Sequence, residues 1–182
     1  MNPGVIVACP TSDEKLYARD RWLAAVRAFT YRGPMDVTMV DTTHWPWRLD
    51  GGPWNGEHSI FYDAWLEIVR RAKHWPYIMS IDSDVICPPT IIEACMAHMA
   101  PDVFAVAHAL PFRGQSDGKN YCAAGLMLLQ THFVVAAFED WKTHNYEYVE
   151  WLLAGEGGDG YAPRHGLRTV KIDELEIAHL SM

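Results

Sequence analysis

The sequence has few cysteines and lacks the short motifs of zinc, redox and P-loop sites. Its cysteines are scattered among apolar neighbours and form no CxxC pair, which argues against a zinc knuckle and a dithiol redox centre. We expect them to be buried free thiols: Cys9, Cys87, Cys95 and Cys122. There is no HExxH motif, and the glycine-rich run 155–160 is not followed by Lys-Ser. Neither a metalloprotease helix nor a P-loop is therefore predicted.

Positive charge is also scarce. The chain has 15 Lys and Arg against 23 Asp and Glu, a formal net charge of −8. Contact with a nucleic-acid backbone needs clustered Lys and Arg, so we expect no nucleic-acid partner. A phosphate-bearing ligand stays compatible with this charge if a divalent cation bridges acid and phosphate.

The sequence has no apolar run long enough to span a bilayer and no stretch ordered like a signal peptide. Hydrophobic residues make up 49% of the 182 positions, which is enough to bury one sizeable core. We therefore expect one soluble domain over residues 1–182, without a transmembrane segment. Together with the unpaired cysteines, this favours the reducing cytoplasm.

What the sequence does contain is an alternation of apolar runs with amphipathic stretches. Short strands are predicted over residues 5–9, 37–41, 77–81, 103–107, 169–172 and 176–178. Between the second and third of these, apolar residues repeat with helical spacing over residues 60–72. Strands that alternate with helices predict an α/β fold, with a mostly parallel central sheet flanked by helices.

Polar residues follow the first three predicted strands: Pro10-Thr11, Asp41 and Asp82-Ser83-Asp84. In parallel sheets ligands bind beyond the carboxyl ends of the strands. Two carboxylates one residue apart raise each other's pKa unless a positive charge relieves them. A divalent cation does so and keeps coordination sites for diphosphate oxygens. The alternative is a solvated turn with helix-capping acids, but the position directly after an apolar strand favours the metal site.

Several segments together resemble GT-A glycosyltransferases of the family 2 type. Residues 77–89, YIMSIDSDVICPP, are similar to that family's strand and D-x-D segment, and residues 5–11 resemble its first βα unit. Val40-Asp41 resembles the strand end whose acid contacts the nucleotide base. Residues 158–168 resemble the segment that carries the catalytic acid, and His179 matches a late histidine that ligates the metal in many members.

The resemblance implies a metal-dependent glycosyltransferase of GT-A fold. Such an enzyme moves a sugar from a UDP- or GDP-sugar to an acceptor hydroxyl, here with inversion at the anomeric carbon. The cofactor would be Mn²⁺ or Mg²⁺, and an imidazole ligand favours Mn²⁺. The implied donor-binding residues are Pro10, Thr11, Asp41 and Asp82, and the implied metal ligands are Asp82, Asp84 and His179.

The resemblance also makes Asp159 the general base that takes the proton from the acceptor. A turn acid among glycines is the alternative for Asp159, and a half-buried strand histidine is the alternative for His179. Trp45, Trp47 and Trp54 lie in one loop and either stack on sugar or pack on the core, with packing favoured for at least one of them.

The chain departs from the family pattern in several ways that leave the donor and its base open, among them the turn Ser59–Asp63 where the family often has an Arg-Asn pair and the single acid in Gly158-Asp159. It is short, and Asp41 is followed by Thr42-Thr43-His44 in place of further acids. A nucleotidyltransferase is one rival, but that class usually has a loop rich in glycine and lysine after the first strand, and residues 10–15 contain no glycine. The other rival is a degenerate transferase that binds nucleotide without catalysis.

Overall fold

Strands and helices alternate along the chain as the sequence predicts. The structure, a computed structural model, describes residues 1–45, 60–111, 120–144, 152–153, 160–173 and 175–180. The strands are β1 (Val5–Thr11), β2 (Met35–Asp41), β3 (Tyr77–Ile81), β4 (Val85–Ile86), β5 (Val103–Pro111), β6 (Asn120–Gln130), β7 (Arg168–Ile172) and β8 (Ala178–His179). The helices are α1 (Leu16–Arg27), α2 (Ile60–Ala72), α3 (Ile91–Met96), α4 (Thr131–His144) and α5 (Tyr161–Arg164).

The main sheet has six strands in the order β2-β1-β3-β6-β5-β7. Strand β1 runs parallel to both β2 and β3, and β5 runs parallel to β7. Strand β6 is antiparallel to its two neighbours, β3 and β5. Five strands therefore share one direction, which confirms the predicted mostly parallel sheet. Strands β4 and β8 form a separate antiparallel pair.

The two faces of the sheet carry separate hydrophobic clusters. Strand β1 contributes side chains to both clusters, because successive side chains of a strand point to opposite faces. Val7 and Cys9 pack with residues of α1 and α3, while Ile6 and Ala8 pack with residues of α2 and α4. The run of β1 residues from Val5 to Pro10 is fully buried. Burial on both faces explains why this strand reads as an unbroken apolar run.

Buried tryptophans belong to the hydrophobic clusters on both faces of the sheet. Trp22 of α1, Trp65 of α2 and Trp141 of α4 are all completely buried. Trp45 is partly buried and packs against the cluster of α2 and α4, as the packing interpretation of its loop predicts. Trp47 and Trp54 lie outside the described residues.

The start of α3 differs from what its sequence suggests. Thr90 and Glu93 have the spacing of a capping box, in which each side chain bonds the other's backbone N–H. Thr90 occupies the N-cap position, but its side chain makes no capping hydrogen bond. A Glu93 carboxylate oxygen instead accepts a hydrogen bond from the Thr30 hydroxyl at 2.9 Å. A tertiary partner has thus replaced the local one.

Candidate donor and metal site

Three strand ends meet at one edge of the sheet. Thr11 and Asp41 are paired across β1 and β2, and the Thr11 hydroxyl donates to the Ser83 hydroxyl oxygen at 3.2 Å. Pro10 is buried one residue before Thr11. The structure therefore brings the donor-binding candidates of β1 and β2 to the turn that follows β3. This is the edge at which open α/β sheets bind ligands.

The turn Asp82-Ser83-Asp84 is held by its backbone. The Asp82 N–H donates to the Gly125 carbonyl at 2.8 Å, and the Val85 N–H closes the turn on the Asp82 carbonyl at 2.9 Å. Ser83 is completely buried. A Cβ atom on Gly125 would lie 2.5 Å from Asp82 Oδ2, so glycine leaves the space that this carboxylate fills. Asp82 is therefore fixed in position by β6 as well as by β3.

A lysine that sequence reasoning missed lies between the two carboxylates. Lys15 Nζ is 3.0 Å from Asp84 Oδ1 and 4.0 Å from Asp82 Oδ2. It comes from a single 3₁₀ turn, Asp13–Lys15, that joins β1 to α1. The paired acids by themselves demand a positive neighbour, and Lys15 is the first basic residue of the chain. The need of the two acids for a positive neighbour could therefore have indicated Lys15 from the sequence.

The surroundings of this ion pair shift two pKa values. Burial by itself lowers the pKa of Lys15, but the charges of Asp82 and Asp84 and the hydrogen bond to Asp84 more than offset it and raise the pKa overall. Burial, together with the charge of Asp82, raises the pKa of the Cys9 thiol well above its usual range. Lys15 is therefore a permanent cation at neutral pH, and Cys9 stays a protonated, inert thiol.

The oxygen donors here fit a hard divalent cation, because two carboxylates already converge on a positive group. The Lys15 ammonium stands in for such an ion. Among the side chains that the structure describes, no three of His, Cys, Asp or Glu are grouped closely enough to hold a metal. Asp82 and Asp84 are the two carboxylates that a cation held here would contact.

The backbone of His179 lies beside these acids. It pairs with Val85 in the antiparallel β4–β8 ladder, and the next residue, Leu180, donates its N–H to the Asp84 carbonyl at 2.7 Å. The Tyr17 hydroxyl of α1 donates to the Leu180 carbonyl at 3.2 Å. The structure thus brings His179, 95 residues away from Asp84 in sequence (179 − 84), next to the D-x-D turn.

Asp41 is exposed and holds its own turn. Its Oδ1 accepts hydrogen bonds from the Thr43 N–H at 2.9 Å and the Thr43 hydroxyl at 2.6 Å. These bonds lower the pKa of the Asp41 carboxyl, so it is ionised at neutral pH. With Trp45 and Asp63, Asp41 lines a groove of about 500 Å³ between β2 and α2.

The other charged side chains of this groove are already engaged. Glu67 accepts hydrogen bonds from Arg70 and Arg71, each at 2.7 Å, and the bonds from Arg70 are the main reason that the pKa of Glu67 falls to about 2. Arg71 also donates to the Thr38 hydroxyl at 2.9 Å. These bonds brace α2 against β2, whereas Asp41 lies at the end nearer the D-x-D turn.

The predicted general base, Asp159, lies outside the described residues. The chain is described again from Gly160, which precedes α5. Tyr161 of α5 is buried, and its ring centroid lies 5.7 Å from that of Phe104.

Solved structures share this fold at low sequence identity. A197 from STIV matches with a TM-score of 0.57 and 11% identity over 98% of this chain and 86% of that one. S. aureus TarS matches with 0.53 and 12%, over 98% of this chain and 37% of TarS. Mannosyl-3-phosphoglycerate synthase from Rubrobacter xylanophilus matches with 0.51 and 12%, over 94% and 66%. The chain has the GT-A fold, which confirms the fold that the sequence predicts.

Other comparisons add no relative. No model of a known protein family matches the sequence, and no curated protein matches it.

Among the described helices, none is both long and apolar enough to cross a membrane.

Proposed function

We propose that this protein is a metal-dependent glycosyltransferase that moves a sugar from a nucleotide-diphosphate donor to an acceptor hydroxyl. The observation that carries the proposal is the meeting of three strand ends on a GT-A sheet. The Thr11 hydroxyl, the Asp41 carboxylate and the D-x-D turn lie at one edge. The shared fold of mannosyl-3-phosphoglycerate synthase, by its name an enzyme that forms a mannosyl product, supports the same class of reaction.

In this proposal Asp82 and Asp84 hold Mn²⁺ or Mg²⁺, and His179 adds an imidazole ligand that favours Mn²⁺. The cation supplies positive charge for a diphosphate leaving group. Two anionic carboxylates that already attract the Lys15 ammonium support this assignment.

Pro10, Thr11 and Asp41 would bind the nucleoside part of the donor, which we propose to be a UDP- or GDP-sugar. Asp159 would take the proton from the acceptor hydroxyl as its oxygen attacks the anomeric carbon, so the reaction would invert that carbon. An exposed and ionised Asp41 that lines the groove can accept hydrogen bonds from ribose hydroxyls or from a base N–H.

The first prediction is that nucleotide binding depends on the metal. UDP or GDP should raise the melting temperature more with Mn²⁺ than with EDTA, because the cation bridges acid and diphosphate. At a hundredfold excess over its dissociation constant, a ligand of the folded state adds about 2.7 kcal/mol of stability. Differential scanning fluorimetry with each nucleotide and each condition measures this.

The matched variants for this experiment are Asp84→Asn and Asp20→Asn. Asp84→Asn keeps the shape of a nearly buried side chain and should remove the metal-dependent part of the shift. Asp20 is an exposed acid on α1, so its variant should behave as wild type. Equal shifts with Mn²⁺ and with EDTA would count against the metal site. Binding without hydrolysis or transfer of any nucleotide sugar would point to the non-catalytic rival.

The second prediction concerns Asp41. Asp41→Ala should weaken nucleoside diphosphate binding by about tenfold, which is about 1.4 kcal/mol, because a hydrogen bond to a charged group is lost. Mn²⁺ affinity without nucleotide should not change. Isothermal titration calorimetry measures both.

Two further variants separate binding by Asp41 from its local turn. Asp41→Asn keeps an Oδ1 acceptor for Thr43 and so keeps the turn. It should still lose affinity, because the negative charge is gone. Asp36→Ala changes an exposed acid at the other end of β2 and should have no effect. Wild-type affinity in Asp41→Asn would reduce Asp41 to a turn residue.

A further inference from the structure

We infer that Lys15 competes with the divalent cation for the carboxylates of Asp82 and Asp84 and thereby sets the metal affinity of the site. The inference rests on the proposed metal-dependent function and concerns a residue that this function does not use. Its basis is the position of Lys15 Nζ, 3.0 Å from Asp84 Oδ1 and 4.0 Å from Asp82 Oδ2. These are the carboxylates assigned to the metal, and the ammonium already neutralises part of their charge.

The two cations cannot share this position. The ammonium lies 3.0 Å from Asp84 Oδ1 and within reach of Asp82, which is the space that a metal bound to both carboxylates at about 2.0–2.6 Å would occupy. An ammonium that remained within 4 Å of a divalent ion would also repel it. Entry of the metal therefore requires the Lys15 side chain to move.

The local structure permits that movement without disturbing the backbone. The Lys15 N–H is bonded to the Ser12 carbonyl at 3.0 Å, which fixes the 3₁₀ turn. The side chain is 35% exposed, whereas that of Asp84 is 9% exposed. A lysine side chain has a flexible four-carbon stem, so its ammonium can rotate into solvent while the carboxylates stay in place.

The contact of Lys15 with the two acids stabilises the metal-free protein. Asp84 is almost buried, and a buried carboxylate without a cation is costly. Lys15 offsets part of the charge of the two acids until the metal arrives, and the metal must then displace a partner that is already bound. The affinity for the bare cation is therefore lower than the two carboxylates alone would provide.

The test is a titration with Mn²⁺ alone, without nucleotide, in which electron paramagnetic resonance reports free Mn²⁺. Lys15→Met removes the charge and keeps the length of an apolar stem. It should bind Mn²⁺ about tenfold more tightly than wild type, since the competitor and its repulsion are both lost. Lys15→Arg keeps a cation and should bind much as wild type does.

Two more variants complete the set. Lys15→Gln also lacks the charge but keeps a hydrogen-bond donor, and it should tighten Mn²⁺ binding even if Lys15→Met folds poorly. Lys73→Met makes the same change in net charge at an exposed position before β3, at the opposite edge of the sheet, and should leave Mn²⁺ affinity unchanged. A similar gain in Lys73→Met would mean that net charge alone is responsible and would overturn the inference.

Thermal unfolding gives a second readout. Without metal, Lys15→Met should melt below wild type because its two acids lose the ammonium that offsets part of their charge, and saturating Mn²⁺ should raise its melting temperature by more than that of wild type. Equal or weaker Mn²⁺ binding by both neutral variants, or no binding by any variant, would overturn the inference. Tighter binding in the neutral variants with no transfer by wild type from any nucleotide sugar would instead refute the proposed function and leave the competition standing.

Discussion

Asp159→Asn should transfer sugar roughly 10²–10⁴-fold more slowly than wild type, which is the range of general-base contributions. Asparagine keeps the shape of the side chain and removes its basicity. Because the base acts on the acceptor and not on the diphosphate, donor and metal affinities should stay close to wild type. The loss should fall on kcat, as expected for a group needed only in the transition state. Transfer kinetics alongside donor titrations measure both quantities.

Two comparison variants sharpen this result. Glu156→Gln changes a nearby acid in the same glycine-rich segment and should retain activity. His179→Ala should weaken Mn²⁺ binding first and lose turnover as a consequence, with partial rescue at high Mn²⁺. A nearly normal rate in Asp159→Asn would mean that another residue is the general base or that the enzyme retains the anomeric configuration. The configuration of the product at its anomeric carbon, read by NMR, decides between those two outcomes.

Trp65→Ala should lower the free energy of unfolding by about 3–5 kcal/mol. Trp65 is completely buried in the cluster that joins α2 and α4 to the sheet. Its removal takes apolar surface out of the core and leaves a cavity that the neighbours fill only in part. A loss of this size is a large share of the 5–15 kcal/mol that usually separates folded from unfolded proteins. Urea unfolding followed by circular dichroism measures it.

The control for Trp65 is its neighbour. Leu66 follows it in α2 and is 36% exposed, so Leu66→Ala should lower the free energy of unfolding by only about 1 kcal/mol. The two variants share a helix and differ in burial. If Trp65→Ala cost no more than Leu66→Ala, the core would not depend on the packing of α2 against the sheet.

Much of the secondary structure follows from the sequence alone. The periodicity over residues 60–72 and the apolar run over residues 77–81 match α2 and β3 residue for residue. Both signals are local, because the spacing of apolar residues reports which side of an element faces the core. The same reasoning located the D-x-D turn, since two acids directly after a buried strand are visible in the sequence itself.

Strand direction, strand pairing and the cationic partner of the acids are known only from the tertiary structure, because local sequence patterns contain no information about them. The sequence contains an apolar run at residues 126–129, but it does not show that β6 runs antiparallel between β3 and β5. It does not show that β8 pairs with β4 and so brings the backbone of His179 beside Asp84. The acids required a positive partner, yet only the fold identified it as Lys15, 69 residues before Asp84. Contacts over such separations depend on the order and direction in which strands assemble, because that order determines which side chains meet at the edge of the sheet.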